Sequence, residues 1–389
     1  LDVVTGGTAS VIGNELDVSV DSAVRGSMDS LSVGVSDDAT VSVGDDLTVN
    51  AKDVRVRGEG DFDLRTSGAG TVSSNSVDMS VDAGLSVSAG GAVGITSASV
   101  DVSSSTSVAV STGSLSLDSA AATEVFSGTS LTATTTTLEA HSAEDTALTA
   151  GGRVTTTSAD ATVNVGDTLD VSAANTRVRN SGVVDVFAKE GTRLTSTDMA
   201  MSVGDEVQIL GGNEVVLTTE TLALNADTSA GISARGMAMS VNDALTATVG
   251  SATTVTSTDV NVDAGDDITL SGVDAAKVEM ATVQVTTASG LTAEVGTETS
   301  VVSQALKVDV VSDTKVSTAD MALEASGTMS VSGQESLTVS AGTVALDAAQ
   351  DGTIRMGGDA VLAAGDGIRM ASVTALDVVT GGTASVISN

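Results

Sequence analysis

Apolar and polar residues alternate along this chain in short bursts, and each burst closes on Gly, Asp or Asn. Between Asp38 and Leu64 the sequence reads DATVSVGDDLTVNAKDVRVRGEGDFDL: V-x-V, turn, L-x-V, turn, V-x-V. Alternation with a period of two puts the valines on one side of an extended backbone and the polar residues on the other. The turn residues then redirect the chain. One strand with its turn takes about seven or eight residues. Apolar spacing of the i, i+3, i+4 kind is absent, and the abundance of Ser, Thr, Val and Gly disfavours helix. The fold class predicted is all-β.

The beat recurs at larger scales. Val77, Met79, Val81, Leu85 and Val87 fall on Met199, Met201, Val203, Val207 and Ile209 after a shift of 122. Half that shift, 61, carries Val260, Val262 and Ala264 onto Met321, Leu323 and Ala325, and Leu16, Val18 and Val20 onto the Val77 set. Beyond the apolar set, SDDATVSVGDDLTVNAKDVRVR (Ser36–Arg57) matches SADATVNVGDTLDVSAANTRVR (Ser158–Arg179). Finally, LDVVTGGTASVI at residues 1–12 returns at 376–387, as expected for a window of a longer tandem array. Such self-similarity marks a β-helix or solenoid, in which short strands bury their apolar sides by stacking. Residues 1–389 are read as one continuous array, weakest at Thr134–Gly152, where polar residues interrupt the ladder.

Three wrappings suit an elongated solenoid with this beat. A three-faced single chain spends about 23 residues per level, a two-faced one about 15, and an intertwined homotrimeric β-prism places successive strands on successive faces. The 61-residue unit holds about eight beats, which three does not divide, so a three-faced single chain would move each duplicate to another face. That arithmetic slightly favours the trimer. Counting 49 strands over the 375-residue repeat, the axial length expected is ~235 Å for the trimer and ~78 Å for three strands per level.

Composition narrows the core. There is no Pro, Cys, Trp or Tyr, and the only such rings are Phe62, Phe126 and Phe187, so Val, Ala, Leu, Met and threonine methyls must fill it. The net charge of −35 opposes binding to nucleic acid, which needs clustered Lys and Arg. No apolar run reaches the ~20 residues of a membrane helix, so membrane insertion is not expected.

The beat, in stretches such as GDDITLSG (Gly265–Gly272) and SLTVSAGTVALDA (Ser336–Ala348), resembles the β-prism needles of contractile phage tails and type VI secretion spikes. Long acidic Ser/Thr/Val/Gly repeats also resemble β-helical arrays of giant microbial and algal surface proteins. Those resemblances imply a rigid, non-catalytic stalk.

Little in the sequence points to chemistry. His141, the sole histidine, has only Ser142, Glu144 and Asp145 nearby, and triad members usually converge from distant segments. Acidic turns at Ser36–Asp38, Gly44–Asp46 and Asp263–Asp267 offer oxygens to structural Ca²⁺, but the nonapeptide Ca²⁺ repeat is missing, so no cofactor is assigned. The run Thr132–Thr137 raises ice binding, which requires a flat Thr array; no recurrence in register is expected. Arg55, Arg57, Arg177 and Arg179 are the most patterned charges, each pair on the side opposite its valines. They are candidates for bridges between levels or for lateral contacts. The expected role is a non-enzymatic shaft of an extracellular or cell-surface filament, partnered by itself and by other surface proteins. A stalk whose binding tip lies outside residues 1–389 is the alternative.

Overall fold

A computed structural model of the chain describes residues 2–4, 7–226, 229–249, 252–264, 268–272, 275–287, 291–295, 298–303, 305–310, 314–318, 320–326, 328–356, 360–372, 375–380 and 384–388. Among them the backbone forms 38 strands and no helix. The strands pair in parallel with partners 22 to 24 residues away in the same chain: Leu85 with Val108, Ala92 with Ser114, Asp351 with Ala375. Three beats sum to that interval, so every third beat returns to the same face. The protein is a β-solenoid of stacked parallel strands.

Its contacts divide it into two units, Leu1–Thr197 and Asp198–Asn389. In the first, one face aligns Val54, Val77 and Val100, a second Phe62, Leu85 and Val108, and a third Leu47, Gly70 and Val93. The second unit repeats this plan, with Leu222, Leu245 and Ile268 on one face, Met237 and Val260 on another, and Thr299, Met321 and Val344 on the third.

The register therefore takes the single-chain wrapping, not the intertwined trimer that the arithmetic slightly favoured. Duplication does move units between faces: Leu16 pairs with Ala39 in the Phe62 column, whereas its repeat Val77 stands in the Val54 column. The three faces share one V-x-V beat, so a duplicate fits whichever face it lands on. Strands are also fewer than beats. Ser107–Ser119 keeps its ladder through the corner at Gly113, so two beats count as one strand.

Within a beat the first and fifth residues are buried, as in Ala39–Val43 and Leu85–Ala89, and the third packs inward between them. Each inward valine contributes roughly 1.5–3 kcal/mol of burial. The fifth position often carries a hydroxyl. Ser127 Oγ lies 2.9 Å from the Thr106 carbonyl, one level below, and 2.8 Å from that of Ser130 at its own corner. Thr112 Oγ1 repeats this with Gly91 and Ser114, at 2.6 and 3.0 Å, and Ser104 with Ala83 and Ser107. A hydroxyl has one hydrogen, so each donor is shared between two carbonyls. The Gly91 and Thr106 carbonyls also accept backbone N–H groups, from Gly113 and from Thr129 and Ser130. The hydroxyls therefore add a second tie at these corners and are themselves satisfied there, which lets Ser and Thr interrupt an apolar column.

Candidate functional surface

Sequence-predicted polar features all fall on the outer surface or at the corners. Arg55 and Arg57 project outward, alternating with buried Val54 and Val56. Arg55 Nε donates to Asp78 Oδ2 at 3.3 Å, and Arg57 Nη2 stands 3.9 Å from the same oxygen. Asp78 lies one level above Arg55 in register, so this pair makes the bridge between levels. Both arginines are more than half exposed, which limits the pair to about 0–1 kcal/mol. The same outward column continues through Asp101 and Glu124. Burial first, then the Asp78 and Glu124 carboxylates, push the Asp101 carboxyl above its ordinary range. A carboxyl raised in this way favours the fold below its ordinary pKa, and that contribution is lost as pH rises through the raised value. The acidic column thus weighs against the fold at neutral pH, and the arginines sit at its lower end.

Arg177 and Arg179 stand one level above Thr155 and Thr157. Duplication copied the arginines without the acid, because the residue 122 positions after Asp78 is Ala200. Among the described residues no carboxylate pairs with Arg177 or Arg179. Thr155 and Thr157 in turn sit directly above Thr132 and Thr134. This corrects the expectation that the threonine run has no counterpart in register. The array is nevertheless two levels high, bounded by Ala109 and Ser111 below and by the arginines above.

The acidic turns have a structural use. Asp38 Oδ1 accepts the Asp61 N–H at 2.9 Å, and Asp61 Oδ1 accepts the Gly84 N–H at 2.7 Å, each reaching up one level. Asp46 does the same for Ala69 at 2.8 Å and Asp145 for Thr168 at 3.0 Å. A carboxylate on a turn amide satisfies a donor that the strand ladder leaves open. Among the described residues no three His, Cys, Asp or Glu side chains converge as metal ligands. Of the turn at Asp263–Asp267, residues 265–267 lie outside the described residues. Asp61→Ala is expected to lower stability by about 1 kcal/mol, read from the urea midpoint, because it strips one partner from an exposed turn; an unchanged midpoint would show that water replaces the carboxylate.

His141 lies in the strand Ser130–Ser142, not in a turn. Its Nδ1 is 3.2 Å from Asn164 Nδ2, one level above, and Asp118 and Phe187 complete an outward column with them. An open groove runs along these four side chains. Ser142, its chain neighbour, is buried and donates to the Ala121 carbonyl at 2.6 Å, so it is not a nucleophile held by the imidazole. The column could not be read from the sequence without the 23-residue interval that aligns Asp118, His141 and Asn164.

No helix is long and apolar enough to cross a membrane among the described residues. Comparison of the chain with protein-family models, curated sequences and solved structures finds no match. The repetitive β-solenoid is therefore the class to which geometry alone assigns the protein.

Proposed function

We propose that this chain is a non-enzymatic shaft of an extracellular or cell-surface filament, appendage or fibre, in which stacked levels supply length and stiffness. The observation that carries this reading is the in-register pairing of successive levels 22 to 24 residues apart within each unit. Hydrogen bonds between levels lie along the stacking axis, and the corner hydroxyls and turn carboxylates add further ties in the same direction. Each level contacts only its neighbours, so duplication lengthens such a shaft without a new interface. The acidic coat opposes lateral aggregation of a β-rich surface. Arg177 and Arg179, which pair with no carboxylate among the described residues, would meet the acidic surface of another copy or another filament protein. The surface-protein and phage-needle resemblances fit this role, although no relative supports either one.

Immunogold electron microscopy with an antibody to this chain on intact source cells tests the reading. Label along surface fibres is the expected result. Label confined to the cell interior overturns it.

A further inference from the structure

The core of the second unit is hollow. A cavity of about 320 Å³ runs along its interior, bounded by side chains from Met199 to Leu362. The middle inward positions of successive beats form its wall: Leu224, Ile232, Met239, Ala247, Val262 and Leu270. Leu270 faces inward, two residues from buried Ile268 on the same side of its strand, and yet is 37% exposed. Its accessible surface is therefore lumen, not exterior. Farther along, the equivalent Val331, Val339 and Leu346 still line it but are only 9%, 3% and 6% exposed, so the space narrows there.

Among the described residues the wall is aliphatic and thioether, apart from three threonines, and carries no charged residue. Two of those threonines, Thr299 and Thr314, lie on one turn of the stack, just before the space narrows. Each hydroxyl is buried with no hydrogen-bond partner. A dry apolar cavity of this kind attracts an apolar guest rather than water, and buried hydroxyls without a partner favour a guest that supplies an acceptor.

We infer that the second unit holds one unbranched hydrocarbon chain with a small neutral oxygen head, of the class of a medium-chain fatty alcohol. Size follows from volume: a cavity near 150 Å³ takes one benzene, so 320 Å³ takes roughly twelve carbons. Length agrees, because the wall from Leu224 to the Thr299–Thr314 turn covers about four levels, ~19 Å at the usual strand spacing. The head is neutral because no described residue of the wall would pair a charge, and an unpaired buried charge is strongly disfavoured. An alcohol oxygen accepts from whichever of the two threonine hydroxyls it meets. Methionines at Met199, Met201, Met237 and Met239 suit a wall that must adapt to a flexible guest.

The test adds 1-dodecanol or dodecane to the full chain, both when folded and during refolding from urea, and counts bound molecules by native mass spectrometry. Saturation at one dodecanol per chain is expected. Ala247→Leu with Ala293→Leu fills the lumen and should weaken uptake of both guests at least tenfold. Thr314→Val keeps the shape and removes a donor, and should reduce the preference for dodecanol over dodecane severalfold while dodecane uptake holds. If the filled variant does not fold, Thr314→Val and the wild-type stoichiometry still decide. Absence of uptake under both conditions, uptake that never saturates, or uptake undiminished in a folded filled variant overturns the site. Equal dodecanol and dodecane binding in the wild type overturns the role of the hydroxyls.

Discussion

Val77→Asp is expected to lower the stability of the first unit by about 4 kcal/mol or more, enough that part of the population opens at room temperature. Val77 is 1% exposed and stacks between Val54 and Val100, themselves 3% exposed. The substitution removes a buried valine, worth roughly 1.5–3 kcal/mol, and sets a carboxylate where no cation can reach it. Neighbouring Asp78→Asn supplies the contrast. It removes an exposed ion pair and relieves Asp101 of one neighbouring negative charge, and should shift stability by less than about 1 kcal/mol. Urea unfolding followed by circular dichroism measures both. In a stacked fold each level rests on its neighbours, so the buried carboxylate should also open a protease site near its own level before the rest unfolds. Equal midpoints for the two variants would mean that Val77 does not face a closed core, and the single-chain register would fall with it.

The beat, the inward valines and the placing of turns were legible in the sequence because each depends on residues two to eight positions apart. Wrapping was not. The decisive interval is set by the sum of three beats, and whether that sum closes within one chain is a property of corner geometry, not of alternation. The argument against a three-faced chain failed at an identifiable point: it treated the faces as distinct, whereas Leu16 and Val77 occupy different faces with the same pattern. Inward hydroxyls were half legible. Threonine methyls were expected in the core, but Ser127 and Thr112 are there for their oxygens, and the carbonyls they serve lie 21 residues earlier. The arginine pairs show the same limit. Their sequence match predicts equivalent roles, yet Arg55 meets an acid one level up and Arg177 meets none, because the partner lies outside the 22-residue matched segments. The hollow lumen left no trace in the pattern, since alternation reports which way a side chain points and not how much space it fills.

Glycine provides the sharpest test of corner geometry. Gly128→Ala should cost about 1–3 kcal/mol, whereas Gly94→Ala should be neutral or stabilise by up to about 1 kcal/mol. No glycine among the described residues has positive φ, so backbone freedom does not explain why these positions lack a side chain. Space does. A Cβ on Gly128 would fall 1.8 Å from the carbonyl oxygen of Ser105, at the corner one level below, and 2.6 Å from its carbonyl carbon. That obstacle is backbone and cannot rotate away, so the two levels must separate locally. Doing so stretches the bond from the Gly128 N–H to the Ser104 carbonyl, now 2.8 Å. Gly94 lies mid-strand with nothing within 4 Å of its Cβ position, and alanine there mainly restricts the unfolded chain. Thermal melts of the two variants side by side give the comparison. A Gly128→Ala midpoint equal to that of Gly94→Ala would show that the corners are not in direct contact, and that the levels are held by their strands alone.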